Sequence, residues 1–193
     1  MRIHLATSNP GKVADFGGVA GLEWALLPGF AALPGIAETG ATFEANARLK
    51  AEHYSRLAPD WIAADDSGLE VAALGGAPGV HSARFAGRHG DDGANNRLLL
   101  ERLQGVPPQR RGARYVCVLA LAQAGRVAAC FCGAAEGRIL EAGRGSGGFG
   151  YDPLFFSPAA NATFAEISLE HKAALSHRGA AARALLAWLQ RQP

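Results

Sequence analysis

Apolar and polar positions along the chain switch between the two-residue period of strands and the 3.6-residue period of helices. Residues 2–6 alternate weakly and predict a first strand. A polar loop follows, and Pro10 suits the first turn of a helix, where its missing N–H leaves no bond unmade. Val13, Phe16, Gly17 and Ala20 recur at helical spacing, with Gly17 and Gly18 weakening that helix. Thr42 predicts the N-cap of a helix over 43–57. Phe43, Ala47, Ala51 and Tyr54 mark its buried face, and Glu44 suits its positive end. Trp61-Ile62-Ala63-Ala64 predicts a short buried strand that empties into an acidic loop, Asp65-Asp66-Ser67-Gly68. The Gly-rich stretch 75–90 predicts a long loop, and 91–104 a helix with its leucines inward.

Two strong strands are predicted over 113–122 and 126–135, joined by a hairpin turn at Gln123-Ala124-Gly125. The first is apolar on both faces (Tyr115, Cys117, Leu119, Leu121 against Val116, Val118, Ala120), so it is expected at the centre of a sheet covered on both sides. A Gly-rich loop over 143–153 leads into the strand Leu154-Phe155-Phe156. Ser168 caps a short helix, and Ser176 a longer one to about residue 190. Helices and strands interleave around a central hairpin, which predicts an α/β fold with a mixed sheet flanked by helices rather than a purely parallel, doubly wound one. A length of 193 residues suits a single domain, at most with two lobes.

Composition narrows the function classes. With 49% hydrophobic and 19% charged residues the chain is expected to be globular. A net charge of +2 on scattered arginines gives no reason to expect a nucleic-acid partner. No run of about 18 apolar residues predicts a membrane span. The N-terminus has no apolar h-region or cleavage site, so a cytoplasmic location is the default expectation. Cys117, Cys130 and Cys132 are odd in number and lack a second Cys or His pair at zinc spacing. They read as small buried residues on one face of a strand, not as a disulfide or metal framework.

Four segments could carry chemistry. The first, Thr7-Ser8-Asn9-Pro10-Gly11-Lys12, joins a strand to a helix N-terminus. Free N–H groups, the helix dipole and the Lys12 charge would make an anion pocket there, the alternative being an ordinary turn with a surface lysine. It is not a Walker A loop, since Ala6 and Val13 stand where Gly and Ser or Thr are required. The second is Asp65-Asp66-Ser67-Gly68. Adjacent carboxylates beside apolar residues repel each other and resist desolvation, and a divalent cation such as Mg²⁺ relieves both problems. A turn with an aspartate bonding the backbone is the bland alternative.

The third segment is Gly145-Ser146-Gly147-Gly148-Phe149-Gly150-Tyr151-Asp152-Pro153. Its G-x-G-x-x-G pattern is no dinucleotide fingerprint, because Pro153 discourages the helix that should open there. What remains is a backbone able to approach a ligand closely, with Phe149 and Tyr151 as stacking platforms or as core aromatics. The fourth is Lys172 with Ser176-His177-Arg178. A helix break near Ser176 would put two cations at a helix start, unfavourable for the dipole but suited to an anionic or carbonyl-bearing ligand. Solvated charges on a surface helix are the alternative.

Taken in order, these segments resemble the inosine triphosphate pyrophosphatase family, the non-standard purine nucleoside triphosphate pyrophosphatases. Further matching segments are Glu38-Thr39-Gly40-Ala41-Thr42-Phe43-Glu44-Ala45-Asn46-Ala47 and Leu74-Gly75-Gly76-Ala77-Pro78-Gly79-Val80-His81-Ser82-Ala83-Arg84, so the resemblance spans nearly the whole chain. It implies hydrolysis of ITP, dITP and XTP to the monophosphate and pyrophosphate, Mg²⁺ dependence, a homodimer, and an elongated twisted mixed sheet with the active cleft between two lobes. By motif, Thr7, Ser8, Asn9, Pro10, Gly11 and Lys12 would hold the triphosphate, and Asp66 would be the catalytic acidic residue and metal ligand. Ser67 would contact substrate, Phe149, Gly150, Tyr151 and Asp152 would pack against and read the nucleoside, Lys172 would bind phosphate or sugar, and His177 and Arg178 would face the base. One position departs: many members carry a metal-binding Glu where this chain has Ala37, so Glu38, Asp65 or water would complete the metal shell.

These residues support attack of water on the α-phosphorus, with Asp66 orienting it and Lys12 and Lys172 neutralising the leaving group. Donors from Arg178 and His177 would accept a purine with a C6 carbonyl and reject one with a C6 amino group. The rival expectations are a pyrophosphatase of modified or pyrimidine nucleotides and a nucleotide sensor without turnover.

Overall fold

The computed structural model describes residues 2–192. Its helices begin where short polar side chains cap them. Thr42 Oγ accepts from Ala45 N, Ser168 Oγ from His171 N and Ser176 Oγ from Gly179 N. The strands are β1 (Arg2–Leu5), β2 (Glu23–Leu26), β3 (Ile62–Val71), β4 (Gly112–Gln123), β5 (Arg126–Ile139), β6 (Phe155–Ser157) and β7 (Ala162–Thr163). The helices are α1 (Pro10–Gly17), α2 (Phe43–Ser55), α3 (Asp92–Arg102), α4 (Leu169–Leu175) and α5 (His177–Leu189).

The strands form one sheet in the order β2-β1-β3-β4-β5-β6-β7. β1 is parallel to β2 and β3, and every later pairing is antiparallel, so the sheet is mixed as expected. β4 is its middle strand, and its two apolar faces explain that place. Cys117, Leu119 and Leu121 pack with Phe16 of α1 and Ala181, Ala182 and Leu185 of α5. Val116, Val118, Ala120 and Ala122 pack with Ala47, Ala51 and Tyr54 of α2 on the other face. A third cluster lies further along the sheet, where Leu69, Tyr115 and Phe155 meet Leu99 and Leu103. No described helix is long and apolar enough to cross a membrane.

The structure departs from the sequence expectations in places. β2 and β7 were not anticipated; they are short strands of four and two residues, too brief to set up a period. Cys117 is buried, but Cys130 is only partly so and Cys132 is exposed, because β5 turns that face outward. The largest correction concerns the acidic segment. Asp65-Asp66-Ser67-Gly68 is not a loop after a strand but the middle of β3, paired with Leu119, Val118, Cys117 and Val116 of β4. Asp and Gly are poor strand formers, yet the long ladder to β4 overrides local preference.

That ladder leaves the opposite edge of β3 open. β1 pairs only as far as Leu5 with Ala63, and its last bond is Ala6 N to Ala63 O at 2.9 Å. The edge is next occupied at Leu69, whose N–H donates to Ser82 Oγ at 2.9 Å. The acidic pair lies in the gap between.

Candidate active site

A cleft of about 270 Å³ opens over this gap. Thr7, Ser8, Asn9 and Lys12 line one wall, Asp65, Asp66 and Ser67 the floor, and Phe149, Gly150, Tyr151, Asp152, His177 and Arg178 the other side. Thirteen chemistry-bearing positions from four distant segments thus meet around one space, Asp65 among them.

Successive strand residues point to opposite faces, so Asp65 and Asp66 have different surroundings. Asp65 bonds Lys12 Nζ at 2.9 Å, accepts from Ser67 Oγ at 2.9 Å and lies 3.6 Å from Arg178 Nε. Burial alone would raise its pKa, but Lys12, Arg178 and Lys50 outweigh that and hold the carboxyl well below the usual range. Asp66 accepts from Lys50 Nζ at 3.1 Å and from Asn46 Nδ2 at 3.1 Å. Burial pushes its pKa up, and nearby Glu38 adds to that against the pull of Lys50. Lys50 also bonds Glu38 Oε1 at 3.0 Å, so one ammonium lies between two carboxylates.

The phosphate-binding expectation for the first loop needs revising in one respect. Asn9 Oδ1 accepts from Gly11 N at 2.8 Å and Lys12 N at 3.3 Å, so the side chain of the N-cap already satisfies two helix N–H groups. Pro10 and Gly11 are not among the residues that line the cleft. Gly11 is required for contact with the Gly-rich loop, since a Cβ there would fall 2.5 Å from Phe149 Cδ1.

The expected break between α4 and α5 is real. Ser176 is extended at φ −79°, ψ 159° and closes one helix while capping the next. Arg178 is buried and two of its nitrogens are committed, NH1 to Asp15 Oδ2 at 3.0 Å and NH2 to Ser67 Oγ at 2.6 Å, whereas its buried Nε has no hydrogen-bond partner. His177 is buried flat on Tyr115, with ring centroids 4.7 Å apart, and neither ring nitrogen has a partner. Burial, with help from Arg178 and Lys172, keeps the imidazole neutral well below its ordinary pKa of 6.5. His177 therefore does not oppose the helix dipole, and the Arg178 charge is balanced by Asp15 and Asp65. Lys172 does not line the cleft. Its Nζ lies 3.0 Å from Asp15 Oδ1 and 2.6 Å from Asp152 Oδ2, beneath the Phe149 ring. Tyr151 is also anchored, its hydroxyl donating to Ser82 O at 2.8 Å.

The Ham1 family model matches residues 3–188. The chain belongs to the Ham1 family. A dITP/XTP pyrophosphatase of Acidobacterium capsulatum is 50% identical over 201 residues, covering 98% of each chain. One of Thermus thermophilus is 53% identical over 188 residues, covering 96% of this chain and 90% of that one. Among solved structures, a HAM1 protein from Coxiella burnetii matches with a TM-score of 0.86 at 38% identity over 100% of both chains. A nucleoside-triphosphatase / dITP/XTP pyrophosphatase from Mycobacterium abscessus matches with a TM-score of 0.73 at 42% identity, covering 98% and 99%.

Several residues of this Ham1 cleft escape a sequence reading. Asn46 and Lys50 are buried polar residues at i, i+4 on the α2 side that also carries Phe43, Ala47 and Tyr54, and that misplaced polarity was the available signal. Asp15, nearly solvent-free on α1, gives no signal of its own, because its partners Lys172 and Arg178 lie far along the chain. Among the described residues no three His, Cys, Asp or Glu side chains form a metal cage.

Proposed function

We propose that this Ham1-family chain hydrolyses the non-standard purine nucleoside triphosphates ITP, dITP and XTP to the monophosphate and pyrophosphate. The observation that carries this reading is the convergence of the acidic pair, Lys12, Lys50 and the Phe149–Asp152 loop on one cleft: Asp65 is paired to Lys12, whereas Asp66 shares Lys50 with Glu38, and burial favours its protonation. A carboxylate of raised pKa at the floor of a cleft suits a proton acceptor. Water attacks the α-phosphorus, its proton passes to Asp66, and the bond to the bridging oxygen breaks to release pyrophosphate. Lys12 and Lys50 neutralise the phosphate oxygens. This supports Lys50 in the role first expected of Lys172, which instead braces Asp152 and Asp15.

The donor set fits a hard divalent cation, Mg²⁺, that takes one or two carboxylates and completes its shell with phosphate oxygens and water. Asp66 and Glu38 would hold it, because both already converge on the single Lys50 ammonium. Asp65, committed to Lys12 and Arg178, is the poorer candidate. When bound, the cation would neutralise phosphate charge and acidify a water. His177 presents free nitrogens for the base, and Phe149, Gly150, Tyr151 and Asp152 shape the space around the nucleoside.

The working unit is proposed to be a homodimer in the cytoplasm; sedimentation of the purified chain tests the dimer, and cell fractionation the location. The activity is tested by pyrophosphate release with Mg²⁺ across ITP, dITP, XTP, GTP, ATP and dUTP. Fastest release from the first three is expected. Equal release from all six, or none, overturns the reading.

A further inference from the structure

Gly150 sits in the left-handed region, at φ +64°, between Phe149 and Tyr151 in the loop that lines the cleft. Glycine there is free to move, because no Cβ restrains it. Its neighbours are tied: Phe149 N donates to Asp152 Oδ2 at 2.9 Å and the Tyr151 hydroxyl to Ser82 O. The Gly150 peptide is gripped from outside the loop. Its N–H donates to Asp92 Oδ2 at 2.6 Å, and its carbonyl accepts from Asn96 Nδ2 at 2.8 Å. Asp92 and Asn96 are four residues apart on α3, hence on one face of it. Between them Asn95 accepts from Ala86 N at 2.8 Å and donates to Ala83 O at 3.4 Å, so the same helix turn also fixes a second rim of the cleft.

We infer that Asp92 and Asn96 are positioning residues for nucleoside recognition: together they lock the Gly150 peptide and so set where the Phe149 ring stands. This rests on the reading that the Phe149–Asp152 segment packs against the nucleoside. Asp92 borders the cleft but Asn96 does not, so any effect of Asn96 on ligand binding passes through Gly150, and Asn96→Ala is the variant that isolates positioning from direct contact. The phosphate end, around Lys12 and Asp66, makes no contact with either residue and should not sense their loss.

The test uses the full chain and two probes, IMP for the nucleoside end and tripolyphosphate for the phosphate end, titrated by calorimetry beside ITP kinetics. Asp92→Ala and Asn96→Ala should each weaken IMP about tenfold, the scale of one lost hydrogen bond, and leave tripolyphosphate within about twofold. KM for ITP should rise with kcat nearly unchanged. Asp92→Asn should restore IMP binding, since its amide oxygen still accepts from Gly150 N, whereas Asn96→Asp should not, since a carboxylate cannot donate to a carbonyl. Unchanged IMP affinity in both alanine variants overturns the inference. So does an equal loss for both probes, which would mark general loosening, or failure of Asp92→Asn to rescue. A wild-type chain that binds IMP through this latch but releases no pyrophosphate from ITP would strike the proposed activity and leave the positioning role standing.

Discussion

Lys12 Nζ lies 2.9 Å from Asp65 Oδ1, so the first aspartate of the pair has a lysine to itself, while the second shares Lys50 with Glu38 and its pKa is raised by burial. The two should respond oppositely to the same substitution. Asp65→Asn removes a buried carboxylate from Lys12 and Arg178, at a cost of about 2–3 kcal/mol, which for a chain this long lowers the melting temperature by roughly 5–10 °C. Asp66→Asn removes a charge whose burial is already unfavourable. Its melting temperature should stay within about 3 °C of wild type while turnover falls at least about a hundredfold. Thermal melts and pyrophosphate release on the two variants decide the matter; near-normal turnover of Asp66→Asn would exclude the proposed proton acceptor.

Glu38 and Asp66 share Lys50, and this is the basis for choosing Glu38 over Asp65 as the second metal-binding carboxylate. Glu38→Gln should raise the Mg²⁺ concentration for half-maximal activity about tenfold, the effect of removing one charged oxygen ligand. A direct Mn²⁺ titration of the protein, without substrate, should move in the same direction. Asp65→Asn should leave that titration nearly unchanged. An unchanged titration for Glu38→Gln would return the second ligand to water or Asp65.

Much of this arrangement was legible because apolar patterning is a local signal. The two apolar faces of β4, the Phe43-Ala47-Ala51-Tyr54 stripe of α2 and the serine caps each follow from a few neighbouring residues, and each is found in the structure. The acidic segment reads as a loop from its own residues because its strand character comes from the β4 ladder, not from Asp-Asp-Ser-Gly. The cleft-lining residues were legible as types of side chain, but their division of labour was not. That Arg178 is committed to Asp15, that Lys172 is buried under Phe149 and that Asn9 caps its own helix are pairings between distant segments, which only the assembled fold specifies.

The buried, unpartnered His177 links folding to pH. Its folded pKa lies well below the unfolded value of 6.5, so the neutral ring is favoured by the fold. The stability this provides is full above pH 6.5 and is lost as pH falls from there toward the folded pKa, with a limiting slope of about 1.4 kcal/mol per pH unit. The raised pKa values of Asp66 and Asp152 act in the opposite sense, since their protonated forms gain on folding as pH falls through them. Comparing wild type with His177→Phe isolates the histidine. Chemical denaturation between pH 7.5 and about 5 should show the wild type losing stability relative to the variant. Parallel curves would mean that His177 titrates normally in the folded chain.

The same variant separates base reading from scaffold support. Phenylalanine at 177 keeps the flat contact with Tyr115 and deletes only the two ring nitrogens. If one of those nitrogens bonds the base, His177→Phe should lower kcat/KM for ITP roughly tenfold to a hundredfold and leave the low rate on ATP nearly unchanged. Arg178→Ala should behave differently, because its guanidinium holds Asp15 and Ser67 and stands beside Asp65. Removing it leaves two buried carboxylates short of a counter-charge, so it should lower the melting temperature and depress ITP and ATP turnover together. Selectivity measured as the ITP to ATP ratio of kcat/KM should therefore collapse in His177→Phe and persist in Arg178→Ala. The reverse result would place base recognition on Arg178 and make His177 a packing residue.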